Sequence, residues 1–247
     1  MKWKSVLFHQ LLMKWKIVMN LSNETVSVLK NFATINQNLV IKSGSSISTM
    51  SAMKNIVASA KVKETWPTDF AIYDLNEFLS ALSLFEKPSL DFKNDFVVMT
   101  EDGSTSKALK YWYSDPSVVT TPTKEITMPD CEVNFSLENT MLGDVQKAAA
   151  VIGVPDMVLE AMDSGTALLK VTDKKNATAN DYAVKIDVNN EDGKNLSYKF
   201  WFKVENLKLL SGTYDVAISS KNISHFVNTN VDIQYWIALE PESKYDA

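Results

Sequence analysis

Near the start of the chain, apolar and polar positions recur with the period of a helix. Following Leu21-Ser22-Asn23-Glu24, residues Val26, Leu29, Phe32 and Ala33 fall on one side of a 3.6-residue repeat. Asn23, Ser27, Lys30 and Thr34 fall on the other, which predicts an amphipathic helix. Ser22 is placed to cap its first turn, and Glu24 suits the positive end of the helix dipole. Strand patterns follow at Leu39–Lys42, Ser45–Met50, Ile56–Val62 and Phe70–Tyr73. The last of these runs into a second helix over Asp74–Leu82, with Asp74 or Asn76 as its cap, and Asp91–Thr100 returns to a β pattern. Glu101-Asp102-Gly103 then reads as a turn.

From about Lys107 to Pro129 the texture changes. Tyr111-Trp112-Tyr113 is followed by Asp115-Pro116, Thr121-Pro122 and Met128-Pro129, and prolines at this density predict an extended connector. Beyond it the earlier order returns. Val133–Leu137 is a strand, and a helix places Met141, Val145, Ala148, Ala149 and Ile152 on one face with Lys147 on the far side. Strands are expected at Thr166–Thr172, Tyr182–Val188 and Tyr198–Phe202. The last leads into a fourth helix over Lys203–Leu210, which Gly212 stops. Tyr214–Ser219, Ile223–Phe226 and Ile233–Leu239 complete the pattern. The second half therefore repeats the first by order of elements, with little identity between them. The expected fold is α+β: two similar domains, each with two helices packed on antiparallel sheet. The expected bounds are 1–18 for an extension ahead of the fold, 19–108 for the first domain, 109–129 for the linker and 130–247 for the second domain.

Composition narrows the chemistry. All 25 basic residues are lysine, so arginine fingers, arginine–phosphate forks and bidentate arginine readout of guanine are excluded. A single cysteine, Cys131, allows neither an intramolecular disulfide nor a cysteine-based zinc site, and the two histidines, His9 and His225, form no cluster. The net charge of −5 is uneven. Residues 1–18 hold Lys2, Lys4, Lys14 and Lys16 without an acid, leaving 21 lysines against 30 acids in the remainder. Such a body repels nucleic acid broadly and attracts it only where lysine is concentrated. Residues 1–18 could also be read as a basic amphipathic membrane tag, but their apolar run is far short of a spanning helix, and the rest of the chain offers no other candidate. The seven glycines are scattered and form no phosphate loop, and no metal-ligand spacing or cofactor motif is present. Carboxylate pairs such as Asp181/Asp187 and Glu191/Asp192 could be cast as acid and base, although their polar surroundings favour a solvated surface.

The remaining feature is lysine on outward helix faces: Lys30 on the first helix, Lys147 on the third, and Lys203 and Lys208 around the fourth. Lysines without arginine suit point-charge, sequence-blind contact with phosphates. Asp74, Glu77, Asp144 and Glu205 on or near these helices argue instead for a plain solvated face.

At Asn31-Phe32-Ala33-Thr34-Ile35-Asn36, Lys42-Ser43-Gly44, Ala71-Ile72-Tyr73-Asp74-Leu75-Asn76, Trp112, Asp115-Pro116-Ser117-Val118-Val119 and Ala238-Leu239-Glu240, the chain resembles the sliding clamps of T4-type bacteriophages. The resemblance implies a non-catalytic protein, without cofactor, whose three subunits join head to tail as a ring around duplex DNA. The helices would line the hole, with Lys30, Lys147, Lys203 and Lys208 touching phosphates. It also implies a replicative polymerase tethered by a peptide near the linker, where Tyr111, Trp112, Val118, Val119 and Leu239 are the candidate contacts. A clamp loader as further partner, and the cytoplasm of an infected bacterium as location, follow from the same resemblance. A β-sandwich virion protein, or a carbohydrate-active enzyme using two carboxylates, are the alternatives.

Overall fold

The computed structural model describes residues 18–102, 104–163, 165–190 and 197–246. In the first half, β1 (Val18–Asn20) precedes α1 (Asn23–Ile35), followed by β2 (Leu39–Ile41), β3 (Gly44–Met50), β4 (Ile56–Trp66) and β5 (Phe70–Ile72). Then come α2 (Leu75–Leu82), β6 (Pro88–Phe92), β7 (Phe96–Glu101) and β8 (Ser104–Trp112). In the second half, β9 (Val133–Leu137) and α3 (Asn139–Ile152) lead into β10 (Asp156–Ala161), β11 (Thr166–Thr172), β12 (Tyr182–Asp187) and β13 (Asn189–Asn190). The chain closes with β14 (Ser197–Lys203), β15 (Tyr214–Ser219), β16 (Ile223–Asn228), β17 (Ile233–Ala238) and β18 (Lys244–Asp246).

These strands form three antiparallel sheets. One has the order β1-β6-β7-β8, a second β12-β11-β10-β14-β18, and the third β13-β9-β15-β16-β17-β4-β3-β2-β5. The third crosses between the halves: β17 pairs with β4, with Ile233 opposite Ala60, Tyr235 opposite Ala58 and Ile237 opposite Ile56. Both halves thereby share one sheet.

Local chemistry explains the helices. The Ser22 side chain accepts the Thr25 amide at the start of α1, and Asp74 accepts the Asn76 and Glu77 amides at the start of α2. Thr25, Val28, Leu29, Phe32 and Ile35 bury one face of α1 against α2, β3 and β4. Leu142, Val145 and Ala149 bury one face of α3 against β11 and β12. Gly153, in the left-handed region at φ 70°, ends α3.

Several expectations are corrected. The β pattern expected at Asp91–Thr100 is present and is divided into the β6–β7 hairpin, where the Lys93 amide donates to the Phe96 carbonyl at 2.9 Å. The strand β8 continues to Trp112, so residues 109–112 are sheet; Leu109, Tyr111 and Tyr113 are half-buried while Lys110 and Trp112 are exposed, the alternation of a strand. The strand β10 lies at the middle of its sheet with Met157, Val158 and Leu159 all buried, so it shows no alternation to read. Val18, counted with the extension, pairs with Asp91 as part of β1, and residues 1–17 lie outside the described residues.

The largest correction is the fourth helix. Only one 3₁₀ turn forms, over Val204–Asn206, and among the described residues there are three α-helices. Leu207, Leu209 and Leu210 still pack on the core, which is the apolar pattern that mimicked a helix. Side chains from elsewhere take their backbone groups. Gln146 donates to the Leu207 carbonyl at 2.8 Å and Asn31 to the Lys208 carbonyl at 3.0 Å. The Leu210 amide donates to the Tyr235 hydroxyl at 3.0 Å, and the Tyr214 hydroxyl donates to the Leu210 carbonyl. With those groups satisfied, the segment gains nothing from helical hydrogen bonds.

Gly212 ends this segment where a methyl group would overlap the Asn228 side-chain amide. Asn228 is buried and its Oδ1 accepts the Asn230 and Val231 amides, each at 2.9 Å, so it cannot retreat without losing both. Gly212→Ala is expected to lower unfolding stability by about 1–3 kcal/mol, read by urea denaturation.

Candidate functional site

The lysines expected on helix faces separate into two groups. On α1 the residues Asn23, Ser27, Lys30 and Thr34 are all exposed, as the helical repeat predicts. On α3 the exposed stripe is Thr140, Asp144, Lys147 and Val151. Lys208 sits between these helices, because Asn31, next to Lys30, holds its carbonyl, and Gln146, next to Lys147, holds the carbonyl of Leu207. The two helices thus reach consecutive carbonyls of one segment, each through the residue next to its lysine in sequence. Among the described residues none of Lys30, Lys147 and Lys208 carries a salt bridge. Asp144 and Glu205 are exposed near the same face, and α2 brings Glu77 and no lysine.

Lys203 is different. It is the last residue of β14, and its Nζ pairs with Oδ1 of Asp156, which is 1% exposed. The other Asp156 oxygen accepts the Lys174 amide at 3.1 Å. With no fourth helix to carry it outward, this lysine neutralises a buried carboxylate.

The expected peptide contacts differ in burial, and none of them lines the two grooves under the linker. Tyr111 packs edge-on to Phe78 at 5.2 Å and donates to the Asp74 carbonyl at 3.3 Å. Burial pushes its hydroxyl up to about 12, and the charges of Glu77 and Asp74 add to the shift. Val119 and Leu239 are buried. Trp112 and Val118 are exposed; Trp112 rests on Phe96 at 5.0 Å, with the Lys110 ammonium over both rings.

The concave surface lies under the linker instead. A groove of about 650 Å³ runs between residues 122–126 and β3, with Val57, Ser59, Gln234 and Trp236 on its floor. A second, of about 380 Å³, opens on the far side between Ile126, Pro129 and Ile223, and again reaches Val57 and Trp236. Trp236 is therefore common to both. His225 stacks on it with ring centres 4.9 Å apart and planes 9° apart, and shares a 2.8 Å hydrogen bond with Gln234. Burial lowers the His225 pKa, against the opposing effect of that bond. The linker's first residues are tied down by Asn38, whose side chain accepts the Thr120 amide at 3.2 Å. One sequence signal could have found Trp236. The pair Tyr235-Trp236 in β17, the last long strand of the second half, matches Tyr111-Trp112 in β8, the last strand of the first, with the tyrosine the more buried ring in each.

Among the described residues, one of the weighed carboxylate pairs can be measured. Asp181 and Asp187 bracket β12 and stand about 20 Å apart at strand rise, too far to act on one bond. Among the described residues no group of three or more candidate ligands could hold a metal ion; Glu191 and Asp192 lie outside them.

Comparison with known proteins decides the family. Residues 22–120 match the family model of the DNA polymerase processivity factor, and residues 134–241 that of the gp45 sliding clamp, C terminal. A sliding clamp of Vibrio phage KVP40 is 35% identical, over 90% of this chain and 99% of that protein. The chain belongs to the sliding-clamp family. The sliding clamp of Enterobacteria phage T4 is 25% identical over 92% of this chain and all of its own length. The fold recurs in the crystal structure of PCNA from Thermococcus kodakaraensis, with TM-score 0.67 and 14% identity over 90% of this chain and 99% of that one. It recurs also in A. fulgidus PCNA solved with the C-terminal region of FEN-1 bound, with TM-score 0.65 and 12% identity over 92% and 99%. These relatives support the clamp over a virion protein. In this clamp the two matched regions meet at the β17–β4 ladder, with the groove at that meeting.

The separation of the lysines is measurable. Lys203→Ala leaves the Asp156 carboxylate buried without its counter-charge and is expected to cost about 3 kcal/mol. Lys30→Ala and Lys147→Ala change exposed side chains and are expected to stay within about 0.5 kcal/mol of the parent. Thermal denaturation of the three variants reads the difference.

Proposed function

We propose that this clamp encircles duplex DNA as a ring of three chains and tethers a replicative polymerase, catalysing no reaction itself. The observation that carries this reading is the repetition of one strand junction. Within the chain, the last long strand of the second half, β17, pairs with the fourth strand of the first, β4. The corresponding strands are β8, the last of the first half, and β12, the fourth of the second, and each stands at a free sheet edge. Pairing β8 of one chain with β12 of the next would join four strands to five, matching the nine-stranded sheet inside each chain. Exposed aromatic rings at both edges, Trp112 on β8 and Tyr182 on β12, fit such a covered junction. We assign Trp112 to it. Bare edges that long are otherwise a liability for aggregation. Each contact is heterologous, and three chains of two halves close as six units.

Lys30, Lys147 and Lys208 would then face the duplex from the inner wall. Their ammonium groups act as point charges on the phosphate backbone, so the contact is independent of sequence and weakened by salt. The acidic remainder repels DNA from the outside, and topology rather than affinity keeps the ring in place. Strong binding would stop it sliding. A loader would open the ring for DNA entry, in the cytoplasm of the infected host.

The partner surface is the groove under the linker, with Trp236 as its anchor, and the exposed Val118 stands on the linker's first turn. An apolar floor shared by two openings suits a short peptide with a buried side chain at its centre. The linker itself runs from residue 113, after β8, to 132, before β9.

Lys30→Glu with Lys147→Glu is expected to cut processive synthesis on primed circular DNA at least tenfold at moderate salt while leaving the oligomer's mass unchanged. Unaltered product length would remove both lysines from the inner wall. Trp236→Ala is expected to weaken polymerase binding by about 2 kcal/mol, roughly thirtyfold, in a fluorescence titration with the polymerase. Equal affinity of variant and parent would move the docking site elsewhere.

A further inference from the structure

The segment that replaces the expected fourth helix carries a lysine of the inner wall, and its backbone is held from outside itself. Gln146, Tyr235, Tyr214 and Asn139 supply partners from the second half: to the Leu207 carbonyl, the Leu210 amide, the Leu210 carbonyl and, at 2.9 Å, the Gly212 amide. Asn31 supplies the remaining one from the first half. Its Nδ2 donates to the Lys208 carbonyl at 3.0 Å, and its Oδ1 accepts from the Tyr235 hydroxyl at 2.8 Å. Tyr235 in turn accepts the Leu210 amide, and its hydroxyl is fully buried, which raises its pKa and keeps it a neutral donor. Donor and acceptor of one amide are thus both spent across the junction of the halves, and both converge on Lys208–Leu210.

We infer that Asn31 is a positioning residue for DNA contact: it fixes Lys208 beside Lys30, so that the cationic wall is assembled across the two halves. This rests on the reading of Lys30, Lys147 and Lys208 as phosphate contacts. Asn31 lies next to Lys30 on α1, so this hydrogen bond ties the backbone that carries Lys208 to the helix that carries Lys30. Neither side chain needs to touch the other. An apolar residue at 31 would leave the Lys208 carbonyl unsatisfied and cut the segment's tie to the first half, while the second half still holds it.

The test is the salt dependence of binding by the full chain to a fluorescently labelled duplex, for Asn31→Ala, Lys208→Ala, the double variant, and Lys30→Ala. Each phosphate contact contributes about 0.9 to the slope of log affinity against log salt. Asn31→Ala and Lys208→Ala are each expected to lower the slope by about that amount, and the double variant by no more than either alone. A merely stabilising Asn31 would lower the melting temperature and leave the slope unchanged, which would overturn the inference. So would full additivity in the double variant. Tyr235→Phe removes the same network from its other end with little change of volume, and a lowered slope is expected there too if Asn31→Ala does not fold. An unchanged slope in it then overturns the inference. A slope lowered by Lys30→Ala but by neither Lys208→Ala nor Asn31→Ala would overturn this inference and leave the clamp reading standing. No change in any lysine variant would overturn the phosphate-contact reading, and this inference with it.

Discussion

Hydrogen-bonding groups on a strand edge must find partners, and in this protein that requirement organises everything above the level of the single domain. The β17–β4 ladder satisfies one pair of edges inside the chain and makes two similar halves into one sheet. The grooves lie over this ladder, and the linker crosses it. Beneath it, Tyr235 sends its hydroxyl to Asn31 on the opposite half. The proposed ring follows from the same requirement at β8 and β12.

The two surfaces obey different physics. On the proposed inner wall, Lys30, Lys147 and Lys208 carry no salt bridge among the described residues, in a chain whose formal charge is −5. Attraction confined to one face and repulsion elsewhere gives a contact weak enough to slide. Under the linker the lining is mixed: Ser59 and Gln234 stand beside Val57, Ile126 and Trp236, and the proposed anchoring rests on the apolar three, which both grooves share. Lys203 belongs to neither surface, since its charge is spent on Asp156.

Much of the fold could be read from the residues because its signals are local. Ser22 and Asp74 cap the helices they were expected to cap, and the exposed stripe of α1 is the one its repeat assigns. What could not be read depends on partners far away in the chain. The strand β10 is hidden by its burial on both faces. The run from Lys203 to Leu210 has the apolar spacing of a helix, yet its backbone is claimed by Gln146, Asn31, Tyr214 and Tyr235, the second of them 177 residues away. Of the candidate site residues, the exposure of Lys30 and Lys147 needs only helical periodicity, whereas Lys208 lies on a segment without a helix. Aromatic content marks the peptide candidates near the connector, and it does not distinguish Trp112 on an edge strand from Trp236 beneath the linker. The recurrence of Tyr-Trp on β8 and β17 is the signal in the sequence that points to Trp236.

The most direct test of a closed assembly is molar mass by light scattering across a range of protein concentration. Two similar halves with complementary free edges predict a plateau at three chains of 27.7 kDa each. A mass fixed at one chain, or one that keeps growing past three as the protein is concentrated, would contradict it.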